Sequence, residues 1–161
     1  MIELEIYIDG ASKGNPGPSA IGVVICKNSR TLKNISSYIG IATNNIAEYT
    51  ALIYALQEGL ILNAESVKVN SDSELLCKQL NKEYKVKSPH IVGLYKQVLH
   101  LSAAFKKFSV KHIRRENNRG ADKLANLAIK EEAKKDRSLL SGGRKVVAPH
   151  RSRCGEESPS S

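Results

Sequence analysis

The chain has 161 residues, a formal net charge of +9 and 41% apolar residues, enough for one domain with a buried core and too few for two. No run of about 18 apolar residues occurs, and the N-terminus alternates Glu3 and Glu5 with Ile2, Leu4 and Ile6 instead of setting a basic start before an apolar stretch, so neither a membrane span nor a signal peptide is expected. The cysteines Cys26, Cys77 and Cys154 are odd in number and share no metal-ligand spacing, which fits a reducing, cytoplasmic setting better than a disulfide scaffold.

Residues 2–9 alternate Ile2, Leu4, Ile6 and Ile8 with Glu3, Glu5, Tyr7 and Asp9, the period of a strand that closes on Asp9. The turn cluster Gly14-Asn15-Pro16-Gly17-Pro18 leads into a second strand over Ile21–Ile25, and Leu32, Ile35, Tyr38, Ile39 and Ile41 mark a third over 32–41. Three strands with short links predict an antiparallel meander. The period then changes. Asn44-Asn45 is read as a helix cap, with Glu48 completing a capping-box-like start and Ala51, Leu52, Ala55, Leu56 and Leu60 forming the apolar face.

Val67 and Val69 mark a fourth strand ending at Ser71-Asp72, and a second helix is expected over about 73–80. Ser88-Pro89 starts a third helix whose apolar face is Ile91, Tyr95, Val98, Leu99, Ser102 and Phe105. Phe108, Val110 and Ile113 make a fifth strand, and Ala121, Leu124, Ala125 and Ala128 a last helix to about Lys134. The order βββαβααβα predicts an α/β fold: a mixed five-stranded sheet, antiparallel first and parallel after, with helices on both faces. Residues 1–136 form this domain. Residues 137–161, rich in Ser, Gly, Arg and Pro, are expected to be a disordered basic tail. The tail holds five basic and two acidic residues, a net +3 that leaves +6 on the domain.

Between Cys77 and Arg115 lie ten Lys or Arg and one acid, Glu83. Such a segment attracts a polyanion in a salt-dependent way, although charge alone does not separate this from a solvated helical face.

Four acids stand where this fold can gather them: Asp9 and Asp72 at strand ends, Glu48 and Asp122 in first helical turns. Taken singly, each has an ordinary reading as a strand-end, turn or helix-terminus charge. Together they would repel unless a hard divalent cation supplied counter-charge, and Mg²⁺ is the natural choice because it keeps waters and substrate oxygens in its shell. Two such ions about 4 Å apart can hold both the attacking water and the departing oxygen of a phosphoryl displacement.

The segments Asp9-Gly10-Ala11-Ser12-Lys13-Gly14-Asn15-Pro16-Gly17, Thr43-Asn44-Asn45-Ile46-Ala47-Glu48, Ser71-Asp72-Ser73 and Arg115-Glu116-Asn117-Asn118-Arg119-Gly120-Ala121-Asp122 resemble, in order and spacing, the four motifs of type 1 ribonuclease H over about residues 1–134. The resemblance implies a ribonuclease H-like fold. It also implies an endonuclease that cuts the RNA strand of RNA·DNA hybrids with two Mg²⁺ ions, Mn²⁺ able to substitute, and leaves 5′-phosphate and 3′-hydroxyl ends. Asp9, Glu48, Asp72 and Asp122 would be the catalytic and metal-binding quartet. Gly10, Ala11, Asn15, Asn44, Asn45 and Glu48 would meet the RNA strand through 2′-hydroxyls and minor-groove edges. Thr43 would grip a DNA-strand phosphate, and Lys85 and Lys87 would contact the hybrid backbone.

The chain departs from the best-studied bacterial members in having no Trp, no His between Ile113 and Asp122, and only a short link over 81–89 where those members carry a long basic protrusion. It resembles instead the compact subgroup of archaea and some bacteria. Arg115, Glu116 or bulk water would then stand in for the loop histidine, and His112 is read as a structural residue of the fifth strand. A monomer is expected, with double-stranded RNA as a second candidate partner. The alternatives weighed are a hybrid- or double-stranded-RNA-binding module with weak or lost catalysis, and a DNA-cutting nuclease of related fold.

Overall fold

The computed structural model describes residues 1–138. Its elements are β1 (Glu3–Ser12), β2 (Gly17–Lys27), β3 (Arg30–Ala42), α1 (Asn44–Ile61), β4 (Ser66–Ser71), α2 (Glu74–Leu80), α3 (Pro89–Ser102), β5 (Lys107–His112) and α4 (Arg119–Ser138), with a 3-10 turn over Arg115–Asn117. The sheet runs β3-β2-β1-β4-β5, antiparallel from β3 to β1 and parallel from β1 to β5. The mixed sheet and the element order expected from the sequence are both present. The last helix runs past Lys134 to Ser138, so the first two residues of the tail expected over 137–161 are helical instead, and the rest of it, 139–161, lies outside the described residues.

One face of the sheet carries Leu4, Ile6, Ile8, Ile21, Val23, Ile25, Val67 and Val69 against Tyr49, Leu52 and Leu56 of α1 and Ile91 and Val98 of α3. Each fully buried Ile or Leu contributes roughly 1.5–3 kcal/mol of burial free energy. The other face carries Ala20, Val24 and Cys26 against Ala121, Leu124, Ala128 and Ile129 of α4. No described helix is long and apolar enough to cross a membrane. Cys77 is a free, buried thiol.

Strand limits differ from the sequence reading for reasons of pairing. β1 continues past Asp9 because its antiparallel partner β2 continues, to Ser12↔Ser19, while its parallel partner β4 stops at Ile8↔Ser71. Asp9 is therefore the first β1 residue beyond the reach of β4. In β3 the register slips twice against β2, so that Leu32 and Ile39 are the extra residues of two bulges, and Gly40 takes a φ of +88° beside the second. A bulge breaks the two-residue alternation, and Leu32 and Ile41 end up exposed on this edge strand. Leu99, placed by its spacing on the apolar face of α3, is likewise 41% exposed, and Phe105 is buried beyond the end of that helix.

Two glycines set helix distances. A Cβ on Gly22 would lie 2.0 Å from the Ala121 carbonyl oxygen of α4, and one on Gly10 would lie 2.3 Å from the Ala47 carbonyl carbon of α1. Gly93, inside α3, has nothing within 4 Å of the corresponding position. We expect Gly22→Ala to cost about 1–3 kcal/mol or more in urea denaturation, because backbone must move, and Gly93→Ala to gain up to about 1 kcal/mol through helix propensity alone.

Candidate active site

The register that ends β4 builds the centre of the site. Ile8 and Ser71 are partners, so the next residues, Asp9 and Asp72, stand side by side where β4 ends, Asp9 still paired with Gly22 of β2. Glu48 comes from α1, whose start is fixed by Thr43: the Ile46 N–H donates to Thr43 Oγ1 at 3.2 Å. Thr43, not the Asn44-Asn45 pair, is thus the N-cap, and Glu48 lies past the first turn, two residues too far along to complete a capping box. Its carboxylate instead accepts the backbone N–H of Gly10. Asp122 lies in the first turn of α4, its N–H donating to the Asn118 carbonyl at 3.1 Å.

Asp9, Glu48 and Asp72 each bring an oxygen within 4.8 Å of the others. Asp122 stands beside this triad rather than in it. It is held by Arg115 Nη2 at 3.6 Å, and the Asn126 side-chain amide donates to its Oδ1 at 3.3 Å. The four acids form the floor of a 610 Å³ cleft whose walls include Gly10, Ala11, Asn15, Asn44, Asn45 and Arg115.

Burial first, and then the neighbouring carboxylates Glu48, Asp72 and Asp122, push the Asp9 carboxyl far up from its ordinary range. Burial also raises Glu48, against the lowering effect of the Gly10 N–H. Asp72 is raised by burial and partly restored by the amide of Asn118 and the charges of Arg115 and His112. The cluster therefore retains protons unless a cation replaces them. Glu48 Oε2 is buried with no hydrogen-bond partner, so one carboxylate of the triad keeps an unused ligand atom. Three hard oxygen donors at this spacing, on residues one of which keeps an unpartnered oxygen, fit a hard divalent cation.

The remaining predicted residues divide into two groups. Asn15, Asn44 and Asn45 line the carboxylate cleft with Gly10 and Ala11. The Asn44 N–H donates to Asn15 Oδ1 at 3.0 Å, which ties the β1–β2 turn to the start of α1, and Asn45 Oδ1 is buried without a partner. Lys85 and Lys87 lie outside the cleft. Both are exposed in the link between α2 and α3, and Lys85 lines a second groove with Lys82, Tyr84, Tyr95 and Lys96. His112 ends β5 as expected but is exposed, and its charge reaches Asp72 and Glu74. Asn118 and Asn126 were not singled out by sequence. Each lies near Asp122 in the chain, and only the folded geometry shows that their amides face carboxylates.

A family profile described as reverse transcriptase-like matches residues 7–128. Ribonuclease H of Chlorobaculum parvum is 32% identical over 146 residues, covering 81% of this chain and 97% of its own length. The chain belongs to the type 1 ribonuclease H family. Ribonuclease HI of Halobacterium salinarum is 37% identical over 76% of the chain, and the bifunctional protein Rv2228c of Mycobacterium tuberculosis is 38% identical over 80%. The chain spans only 62% and 36% of those two relatives. Among solved structures, ribonuclease H1 of Halobacterium salinarum superposes with a TM-score of 0.78 at 35% identity, covering 80% of this chain and 98% of that one. LC11 ribonuclease H1, in complex with RNA/DNA hybrid, superposes with a TM-score of 0.77 at 40% identity, covering 81% and 99%.

The protons held by this ribonuclease H cluster give a pH signature. Asp9, Glu48 and Asp72 bind protons more tightly folded than unfolded, so the folded state carries more protons from about pH 4 upward. Their contribution to stability is complete below the unfolded values and is lost as pH rises through the raised folded ones. In EDTA the melting temperature should fall between about pH 5 and about pH 8, and Asp9→Asn should flatten that slope. An unchanged slope in the variant would show that the cluster is not its source.

Proposed function

We propose that the protein is an endonuclease that hydrolyses the RNA strand of RNA·DNA hybrids with two Mg²⁺ ions, Mn²⁺ substituting, leaving 5′-phosphate and 3′-hydroxyl ends. The observation that carries this reading is the triad of Asp9, Glu48 and Asp72, with oxygens within 4.8 Å, on the floor of a cleft open to a large ligand. Asp9, Glu48, Asp72 and Asp122 would hold the ions, which when bound supply counter-charge and activate water. The hybrid seen with LC11 ribonuclease H1 supports the same ligand here.

The chain's own groups then have distinct tasks. Ala11 is small and leaves the cleft wall low, so a sugar edge can approach the backbone there, whereas the space beside Gly10 is taken by α1. Asn15, Asn44 and Asn45 offer amide groups, and the unpartnered Asn45 Oδ1 suits a 2′-hydroxyl donor, the group that separates RNA from DNA. Thr43 stands one residue before Asn44 at the head of α1, where a DNA-strand phosphate would meet N-terminal N–H groups. Lys85 and Lys87 would hold the backbone without reading sequence. Arg115 is the one cation lining the cleft among the described residues, and it would meet the phosphate in place of a loop histidine.

Labelled RNA·DNA hybrid, double-stranded RNA and double-stranded DNA, each with Mg²⁺ or with EDTA, test the proposal. Cleavage of the hybrid's RNA strand in Mg²⁺ alone supports it; hybrid binding without cleavage in either metal would favour a binding module instead. Asp72→Asn should lower turnover by more than the roughly 100-fold that loss of a ligand's supporting partner costs, with the metal-free melting temperature held or raised because repulsion is relieved. Lys85→Ala and Lys87→Ala should each reduce the slope of log affinity against log salt by about 1.

A further inference from the structure

We infer that Asn118 is a positioning residue that sets the spacing of the carboxylates through two hydrogen bonds of one buried amide. The inference rests on the proposed metal-dependent reading of the site and goes beyond it, to a group that touches neither metal nor substrate.

Asn118 is wholly buried. Its Nδ2 donates to the Ile8 carbonyl oxygen at 2.8 Å and to Asp72 Oδ2 at 3.3 Å. Ile8 is the last β1 residue paired with β4, so the amide adds a bond across the gap where the parallel ladder has just ended. Asp9 follows Ile8 directly. One NH₂ group is thus anchored to the backbone beside the first carboxylate and to the oxygen of another. The Asn118 backbone reaches a third, because its carbonyl accepts the Asp122 N–H in the first turn of α4. Three of the four acids are in this way referred to one residue.

The amide's orientation follows from its neighbours. Both are acceptors, so the nitrogen must face them, and a flipped amide would set an oxygen against a carbonyl and a carboxylate. The cost is visible on the other side, where Asn118 Oδ1 is buried with no partner. An aspartate there would lose both donors and bury a fifth negative charge, and an alanine would leave Asp72 and the Ile8 carbonyl unsupported.

Groups that orient a metal's ligands typically change metal affinity by about 10–100-fold when removed. We therefore expect Mn²⁺ to bind the Asn118→Ala and Asn118→Asp proteins about 10–100-fold more weakly by titration calorimetry. In an Asp72→Asn background, Asn118→Ala should produce little further loss, because the amide acts through Asp72. Folded variants that bind Mn²⁺ within about twofold of the parent, or losses that simply add in the double variant, would overturn the assignment. If neither Asn118 variant folds, the side-chain amide resonances of Asn118 in the Asp72→Asn protein decide: a shift from the parent supports the contact, and coincidence with the parent overturns it. Failure of the parent protein itself to bind Mn²⁺ would count against the metal-dependent reading, separately from the role of Asn118.

Discussion

The parallel pairing of β1 with β4 is the constraint on which the site depends. Parallel neighbours end on the same edge of the sheet, and here the pairing stops at Ile8↔Ser71, one residue before an aspartate on each strand. Two carboxylates that would otherwise separate under repulsion are held at neighbouring positions by a hydrogen-bonded ladder whose apolar faces, Leu4, Ile6 and Ile8 beside Val67 and Val69, are buried in the main core. Core burial on one side of the register thereby offsets electrostatic cost at its end. The balance is visible in the raised proton affinities of Asp9 and Asp72.

The other two acids arrive on helices, and each helix depends on a missing side chain beside Asp9. Gly10, next to Asp9, lets α1 approach until the Glu48 carboxylate accepts the Gly10 N–H. Gly22, the antiparallel partner of Asp9, lets α4 approach until the Ala121 carbonyl would touch its Cβ, and Asp122 is the next residue. Close packing on both faces of one strand position brings the third and fourth carboxylates to the first. Interiors packed at this density do not deform smoothly, so spacing at the site is tied to fold stability.

Much of this was legible in the chain because each acid lies at or within a few residues of an element's end, and apolar periodicity locates element ends to that accuracy, although β1 runs on past Asp9 and Glu48 falls beyond the first turn of α1. What escaped has identifiable causes. Three consecutive cap-forming residues, Thr43, Asn44 and Asn45, compete for one N-cap, and only backbone geometry selects Thr43. The bulges of β3 place Leu32 and Ile39 outside the alternation that would reveal which face they take. Asn118 bonds to Ile8 across 110 residues of sequence, a contact that no local pattern encodes. Lys85 was legible as basic, but its separation from the carboxylate cleft depends on how α2 and α3 pack, which charge counting does not address.

The electrostatic layout adds a final coupling. The basic residues between Cys77 and Arg115 lie on α2, the α2–α3 link, α3, the turn before β5, β5 and the segment leading to α4, whereas the cleft floor is acidic. On the proposed function, a nucleic acid held by the basic flank would present phosphates to carboxylates, and that approach is unfavourable until cations enter. Bound cations must therefore favour the nucleic acid, and by linkage the nucleic acid must raise cation affinity by the same factor. Arg115 sits at the junction of these two fields, exposed along most of its side chain yet 3.6 Å from Asp122. An arriving phosphate and a cation beside Asp122 would compete with this pair from opposite sides, so opening the pair makes both partners available at once. On that function, ligand and metal would assemble the site together, while β1, β4 and the two glycine-seated helices keep their places.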